Sequence, residues 1–298
     1  MTKRFHSHGD GTLSLTSLHV WKTVCALGYF PLESFLSTQE LVDESILCID
    51  PTSNDDTVPL AEAIVKKYPK ARIVPFEWPK ESHNGSAIGD ASNYALGHAR
   101  GDYVLNVQAD EVWSPQLLRY TRSNWRQFSE AGVEALSFKV LHLEHNGQQL
   151  QGGGTWKHQN GAGYERSVKL WKRCSCYRFS PDAWSIQAQG TDGQWAESNV
   201  RLSAHVVESE RHPILHCHDW FKDTVIERRR SQAEDYWGDI PHYRATYEAM
   251  RDGTGQWSGL FDDPKWTRTT STFEDIMPDY LKWHLGKTTY QVRWELLQ

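Results

Sequence analysis

The sequence predicts an α/β fold, a mostly parallel sheet flanked by helices, continued by a C-terminal helical extension. Three observations predict it. Strand-like and helix-like runs alternate up to about residue 113, the pattern of right-handed crossovers between parallel strands. A chain of 298 residues is ample for one such domain with an appended segment. Polar residues also collect where the predicted strands stop, which is where open α/β sheets hold their ligands.

The first strand is "LSLTSLHV" (13–20), rich in strand formers. "PLESFLSTQELV" (31–42) follows as a helix, with Pro31 at its start and Leu32, Phe35 and Leu36 on one face. "SILCID" (45–50) is a short apolar strand that ends in an aspartate, before the polar loop "PTSNDDT". "VPLAEAIVKKYP" (58–69) reads as a helix stopped by Pro69, and "ARIVPFEW" (71–78) as the third strand. "SAIGDASNYALGHAR" (86–100) is a helix closed by Gly101, and "DYVLNVQ" (102–108) is the fourth strand. It runs into Ala109, Asp110 and Glu111, so Asp50 and the 108–111 stretch both fall at strand ends.

Composition removes several classes. Apolar residues make up 39% of the chain and no stretch is long enough for a membrane span. The first twelve residues lack the apolar core of a secretory signal. Five cysteines without framework spacing point to a reducing, cytoplasmic setting. A net charge of −6 argues against indiscriminate nucleic-acid binding. The fourteen tryptophans suit both a core and stacking on sugars or bases. Neither a G-x-G-x-x-G turn nor a P-loop occurs, so a nucleotide's phosphates would need a metal in place of a glycine loop.

The pieces "DESILCIDPTSNDDT", "NYALGHARGDYVLNVQADE", "YERSVKLWKR" and "PILHCHDW" resemble, in order and spacing, the family 2 glycosyltransferases with a GT-A (Rossmann-like) fold. The resemblance spans roughly residues 12 to 235. It implies that residues 1–113 bind a nucleotide-sugar, 114–235 bind the acceptor, and 236–298 form the helical extension. By the same resemblance Asp50 contacts the nucleobase, while Asn93, Gln108 and Asp110 belong to the donor site. Gln108 stands where the family has the first acid of a D-x-D motif, and it brings no charge to a metal. Ser92 stands where the family often has a diphosphate-binding arginine. His216, with His218 two residues on, matches the histidine that completes a Mn²⁺ or Mg²⁺ site around Asp110.

An inverting transfer needs a carboxylate to take the acceptor's proton. The candidates are Asp182 in "FSPDAW", Glu165 and Asp219, with Asp182 preferred by position. The implied donor is a nucleotide-sugar, UDP favoured. The acceptor is a hydroxyl of a saccharide or of a hydroxymethylated DNA base. Glycines 152–154 lie in a candidate acceptor loop, and Arg228, Arg229 and Arg230 are candidate phosphate contacts. Alternatives remain at this stage: a non-catalytic carbohydrate- or nucleic-acid-binding protein, a nucleotidyltransferase, and a zinc site built from Cys174, Cys176, His216 and His218.

Overall fold

The structure, a computed structural model, describes residues 14–79, 86–144, 148–151, 166–181, 183, 186–197, 204–206, 213–217, 220–221, 224–231, 248, 267–272 and 277–298. Four strands and three helices alternate at the start: β1 (Leu15–Trp21), α1 (Pro31–Thr38), β2 (Glu44–Ile49), α2 (Thr57–Lys67), β3 (Ala71–Pro75), α3 (Ser86–His98) and β4 (Tyr103–Asn106). All seven lie where the sequence pattern places them. Strand β1 pairs in parallel with both β2 and β4, and β2 with β3. The chain therefore runs outward from β1 in one direction and then returns to its other side, which opens a crevice at the carboxyl ends of the strands.

Helix α1 stops at Thr38, short of the expected residue 42. Its own hydroxyls cause this, because Ser37 Oγ donates to Ser34 O and Thr38 Oγ1 to Phe35 O, at 2.8 and 3.2 Å. Carbonyls bonded this way compete with the next helical turn.

Next come β5 (Glu111–Trp113), α4 (Pro115–Glu130), β6 (Ala135–Glu144), β7 (Gln148–Gln151) and β8 (Arg166–Lys172). The sheet becomes mixed here, with β8 antiparallel to both β4 and β6. Strands β9 (Tyr177–Phe179), β10 (Ile186–Gln189) and β11 (Trp195–Glu197) form a separate three-stranded antiparallel sheet. Then β12 (Ala204–Val206) and β13 (Ile214–Cys217) both pair in parallel with β6, and α5 (Val225–Ser231) follows. The architecture is the expected α/β one, a largely parallel sheet in its first half with helices beside it.

Within 236–298 the described elements are β14 (Thr267–Thr272), the one-turn helix α6 (Asp279–Lys282) and a 3-10 turn at Trp294–Leu297. The segment is thus not purely helical. β14 lies along β7, as its β-branched threonines favour.

Helix α3 packs on the sheet through Ala87, Ala91 and Ala95, all buried with Leu18, Ile46 and Trp171. Small residues let it sit close to its neighbours. Gly89 comes closest, since a Cβ there would run into the carbonyls of Ser180 and Pro181, and its N–H donates to Pro181 O at 3.0 Å. On the other face Trp113, Leu117, Phe138 and Ile214 close a second core. Each such fully buried side chain contributes about 1.5–3 kcal/mol.

The C-terminal segment is fixed to this body by a buried polar cluster. His284 Nε2 lies 2.7 Å from Glu33 Oε1, both residues fully buried, and Tyr290 OH donates to Glu33 Oε2 at 3.1 Å. Lys67 Nζ donates to the carbonyls of Leu296 and Gln298, each at 2.8 Å.

Candidate active site

The acidic loop after β4 is held from three sides. Ser34 Oγ of α1 donates to Gln108 O at 2.7 Å, and Phe30 N–H to Ala109 O at 2.8 Å. Cys217 N–H donates to Asp110 O at 2.7 Å. Antiparallel pairing of β5 with β13 sets His216 opposite Glu111, and so beside Asp110. Their side chains meet, with His216 Nε2 3.5 Å from Asp110 Oδ2 and both groups nearly buried. A carboxylate oxygen and an imidazole nitrogen are thus brought together from positions more than 100 residues apart.

The two neighbouring acids have separate fates. Glu111 is 2% exposed and turns inward, where its Oε1 lies 2.6 Å from Nζ of Lys169 on β8, itself 3% exposed. Burial pushes the Glu111 carboxyl up, and the Lys169 ammonium opposes that shift. Its other oxygen accepts from Gln108 N–H at 3.4 Å. Glu111 therefore braces the loop from behind while Asp110 faces His216.

Asp50 follows β2 and is 1% exposed. Its Oδ1 accepts from Thr52 N–H and Thr52 Oγ1 at 2.9 and 2.7 Å. Its Oδ2 is buried with no hydrogen-bond partner, and Lys22 Nζ lies 3.8 Å away.

Asn93 joins two elements of the fold. Its Nδ2 donates to Phe179 O at 3.2 Å and its Oδ1 accepts from Phe179 N–H at 2.8 Å. Both ends of the amide are committed to tying α3 to β9. Asp182, Glu165, Asp219 and His218 lie outside the described residues, as do glycines 152–154. Of the arginine run, Arg228 is buried with its guanidinium 4.0 Å from the Tyr29 ring centroid. Arg230 points outward and pairs with Glu227.

Cys174 and Cys176 are joined in a disulfide, and Cys25, Cys48 and Cys217 are free and buried. This overturns the zinc alternative, because cysteines bonded to each other supply no thiolate ligands. It also adds a bond that the reducing setting did not anticipate. Among the described residues no group of three or more His, Cys, Asp or Glu is placed to hold a metal, and no helix is long and apolar enough to cross a membrane.

Three pairings escaped the sequence reading. Lys169 with Glu111 and Glu33 with His284 each join a charge on a buried face to a partner far along the chain. Their one visible signal was a charged residue within an apolar stripe, as at Glu33 between Leu32 and Phe35. Lys22 gave a signal of position alone, one residue past the first strand.

Residues 32–133 match the model of the family described as Glycosyl transferase family 2, and the resemblance read from the sequence holds over that segment. A chondroitin synthase of Escherichia coli is 23% identical over 158 residues, 52% of this chain and 21% of that protein. The chain thus spans about a fifth of that relative's length. Among solved structures, the glucosyl-3-phosphoglycerate synthase of Mycobacterium tuberculosis with Mn²⁺, UDP and phosphoglyceric acid is 17% identical. That match covers 87% of each chain with a TM-score of 0.43. S. aureus TarS 1-349 with UDP-GlcNAc is 13% identical over 74% of this chain and 66% of that one, with a TM-score of 0.42.

Proposed function

We propose that this chain is a nucleotide-sugar-dependent glycosyltransferase that uses a divalent cation and passes the sugar to a hydroxyl with inversion. The observation that carries the reading is the convergence of Asp110 and His216, 3.5 Å apart, at the strand-end crevice of a segment matching glycosyl transferase family 2. In this reading residues 1–113 hold the donor and 114–235 the acceptor.

The residues present fit Mn²⁺ or Mg²⁺. One carboxylate and one imidazole leave most of the coordination shell to diphosphate oxygens and water, the usual arrangement for cations bound with phosphates. Asp110 and His216 would hold the ion, with His218 as a further candidate. When bound, it would offset the charge developing on the departing diphosphate. The chain's own groups do the rest. Asp50 anchors the base end of the donor and Gln108 offers an uncharged amide to the ribose. Glu111, paired with Lys169, keeps Asp110 turned to the crevice. Asp182 takes the proton from the attacking hydroxyl, with Glu165 and Asp219 as the competing carboxylates. The acceptor is a saccharide hydroxyl, or alternatively a hydroxymethylated base in DNA.

The test is Mn²⁺-dependent release of nucleoside diphosphate from UDP-sugars, with binding followed by calorimetry. Wild type should turn over and Asp110→Asn should lose metal-dependent donor binding. Normal donor binding by Asp110→Asn in Mn²⁺ refutes the metal assignment. Binding without any turnover, with acceptors supplied, would make the chain a binding protein on this fold.

A further inference from the structure

Strands β1, β2 and β3 lie side by side, and the ladder aligns Trp21, Ile49 and Pro75 at their carboxyl ends. One residue beyond the first two ends stand Lys22 and Asp50, and three beyond the third stands Trp78. The three side chains meet. Lys22 Nζ lies 3.8 Å from Asp50 Oδ2 and 5.3 Å from the centroid of the Trp78 ring. The first distance is too long for a hydrogen bond, and the second is within cation–π reach.

A carboxylate oxygen that is buried and accepts no hydrogen bond is costly. Asp50 Oδ2 is such an oxygen, while Oδ1 is already engaged by both donors of Thr52. The cluster therefore offers one acceptor and, beside it, one cationic donor held in place by an indole face.

We propose that Lys22 is a specificity-determining residue of the donor site, reading with Asp50 the imide edge of a uracil base. The inference rests on the glycosyltransferase reading above. Asp50 Oδ2 accepts the ring N3–H, and the Lys22 ammonium donates to the adjacent carbonyl oxygen. Guanine carries a similar edge with an added amino group, whose N–H finds Oδ1 already taken. Cytosine and adenine carry an unprotonated ring nitrogen where uracil has N3–H, so Asp50 Oδ2 meets an acceptor in place of a donor. Trp78 is the positioning residue that keeps the ammonium at the edge of the site.

The experiment is titration calorimetry of the full chain in Mn²⁺ with UDP, CDP, GDP, ADP and N3-methyl-UDP. Wild type should bind UDP at least about tenfold more tightly than the other four, the scale of one charge-assisted hydrogen bond. Lys22→Met should weaken UDP binding about ten- to a hundredfold and narrow the spread among bases, and Lys22→Arg should restore much of it. Unchanged UDP affinity in a folded Lys22→Met refutes the role of Lys22 and leaves the glycosyltransferase reading intact. So does wild type binding CDP or N3-methyl-UDP as tightly as UDP, a comparison that needs no variant. Wild type that binds none of the five nucleotides overturns the donor reading and this inference with it.

Discussion

Replacing Lys169 by methionine keeps most of the side-chain volume and removes the ammonium 2.6 Å from Glu111. Glu111 then remains as a carboxylate at 2% exposure, with one long hydrogen bond from Gln108 N–H. Breaking a buried pair in this way costs about 3–5 kcal/mol, because the surviving charge keeps its desolvation penalty. Domains are stable by only about 5–15 kcal/mol, so a loss of that size is large. Urea unfolding followed by tryptophan fluorescence measures it. The double variant Glu111→Gln/Lys169→Met should recover most of the loss, since no buried charge is left. The pH dependence has a definite sign. Burial already pushes the Glu111 carboxyl up against the pull of Lys169, and without Lys169 it moves higher. Below about pH 4 the carboxyl is protonated in both folded and unfolded chains and the penalty is small. As pH rises the unfolded chain ionises first, so the variant loses stability until the folded carboxyl ionises too. A single variant that costs under about 1 kcal/mol, or that is no less stable than the double, refutes the pairing as an energetic unit.

Three further outcomes are expected. His216→Ala should lower metal-dependent activity at least about tenfold and His218→Ala less; equal and negligible effects in a Mn²⁺ titration would remove both from the site. Asp182→Asn should leave donor affinity unchanged and slow transfer by roughly 10² to 10⁴. Glu165→Gln and Asp219→Asn, measured beside it, identify the base if either stops transfer while Asp182→Asn stays active. Burial holds the His19 imidazole down at about 3, against 6.5 unperturbed. Stability should therefore fall as pH drops from about 6.5 toward 3, by an amount on the order of 4 kcal/mol. His19→Phe should flatten that slope, and urea midpoints across pH with no change in slope would refute the assignment.

The strands and helices up to Asn106 were legible because each carries its own period and its own stop. Pro31, Pro69 and Gly101 mark boundaries by backbone chemistry alone. The positions of Asp50, Asp110 and His216 were legible for a related reason, since each stands at or just past the end of an apolar run. What the sequence hid is pairing across the fold. Nothing local to Lys169 distinguishes it from a solvated lysine on an edge strand, because its partner comes 58 positions earlier in the chain. Nothing local to Asn93 shows that its amide pairs with the Phe179 backbone, 86 positions further on. The threonines of β14 were absorbed into a helical expectation because strand propensity counts only once an edge is available to pair with, here β7.

The Glu33–His284–Tyr290 cluster has a practical consequence for anyone shortening this chain. Glu33 directly precedes Ser34, whose hydroxyl holds the Gln108 carbonyl. A form ending before His284 would leave the fully buried Glu33 carboxylate without its imidazole and phenol, one residue from that anchor. What resembles a trimmable tail is, for the folding unit, an internal part joined late. Deletion mapping from that end should thus register first as lost solubility and poor refolding, and a map read only by activity would misassign the last fifteen residues to catalysis.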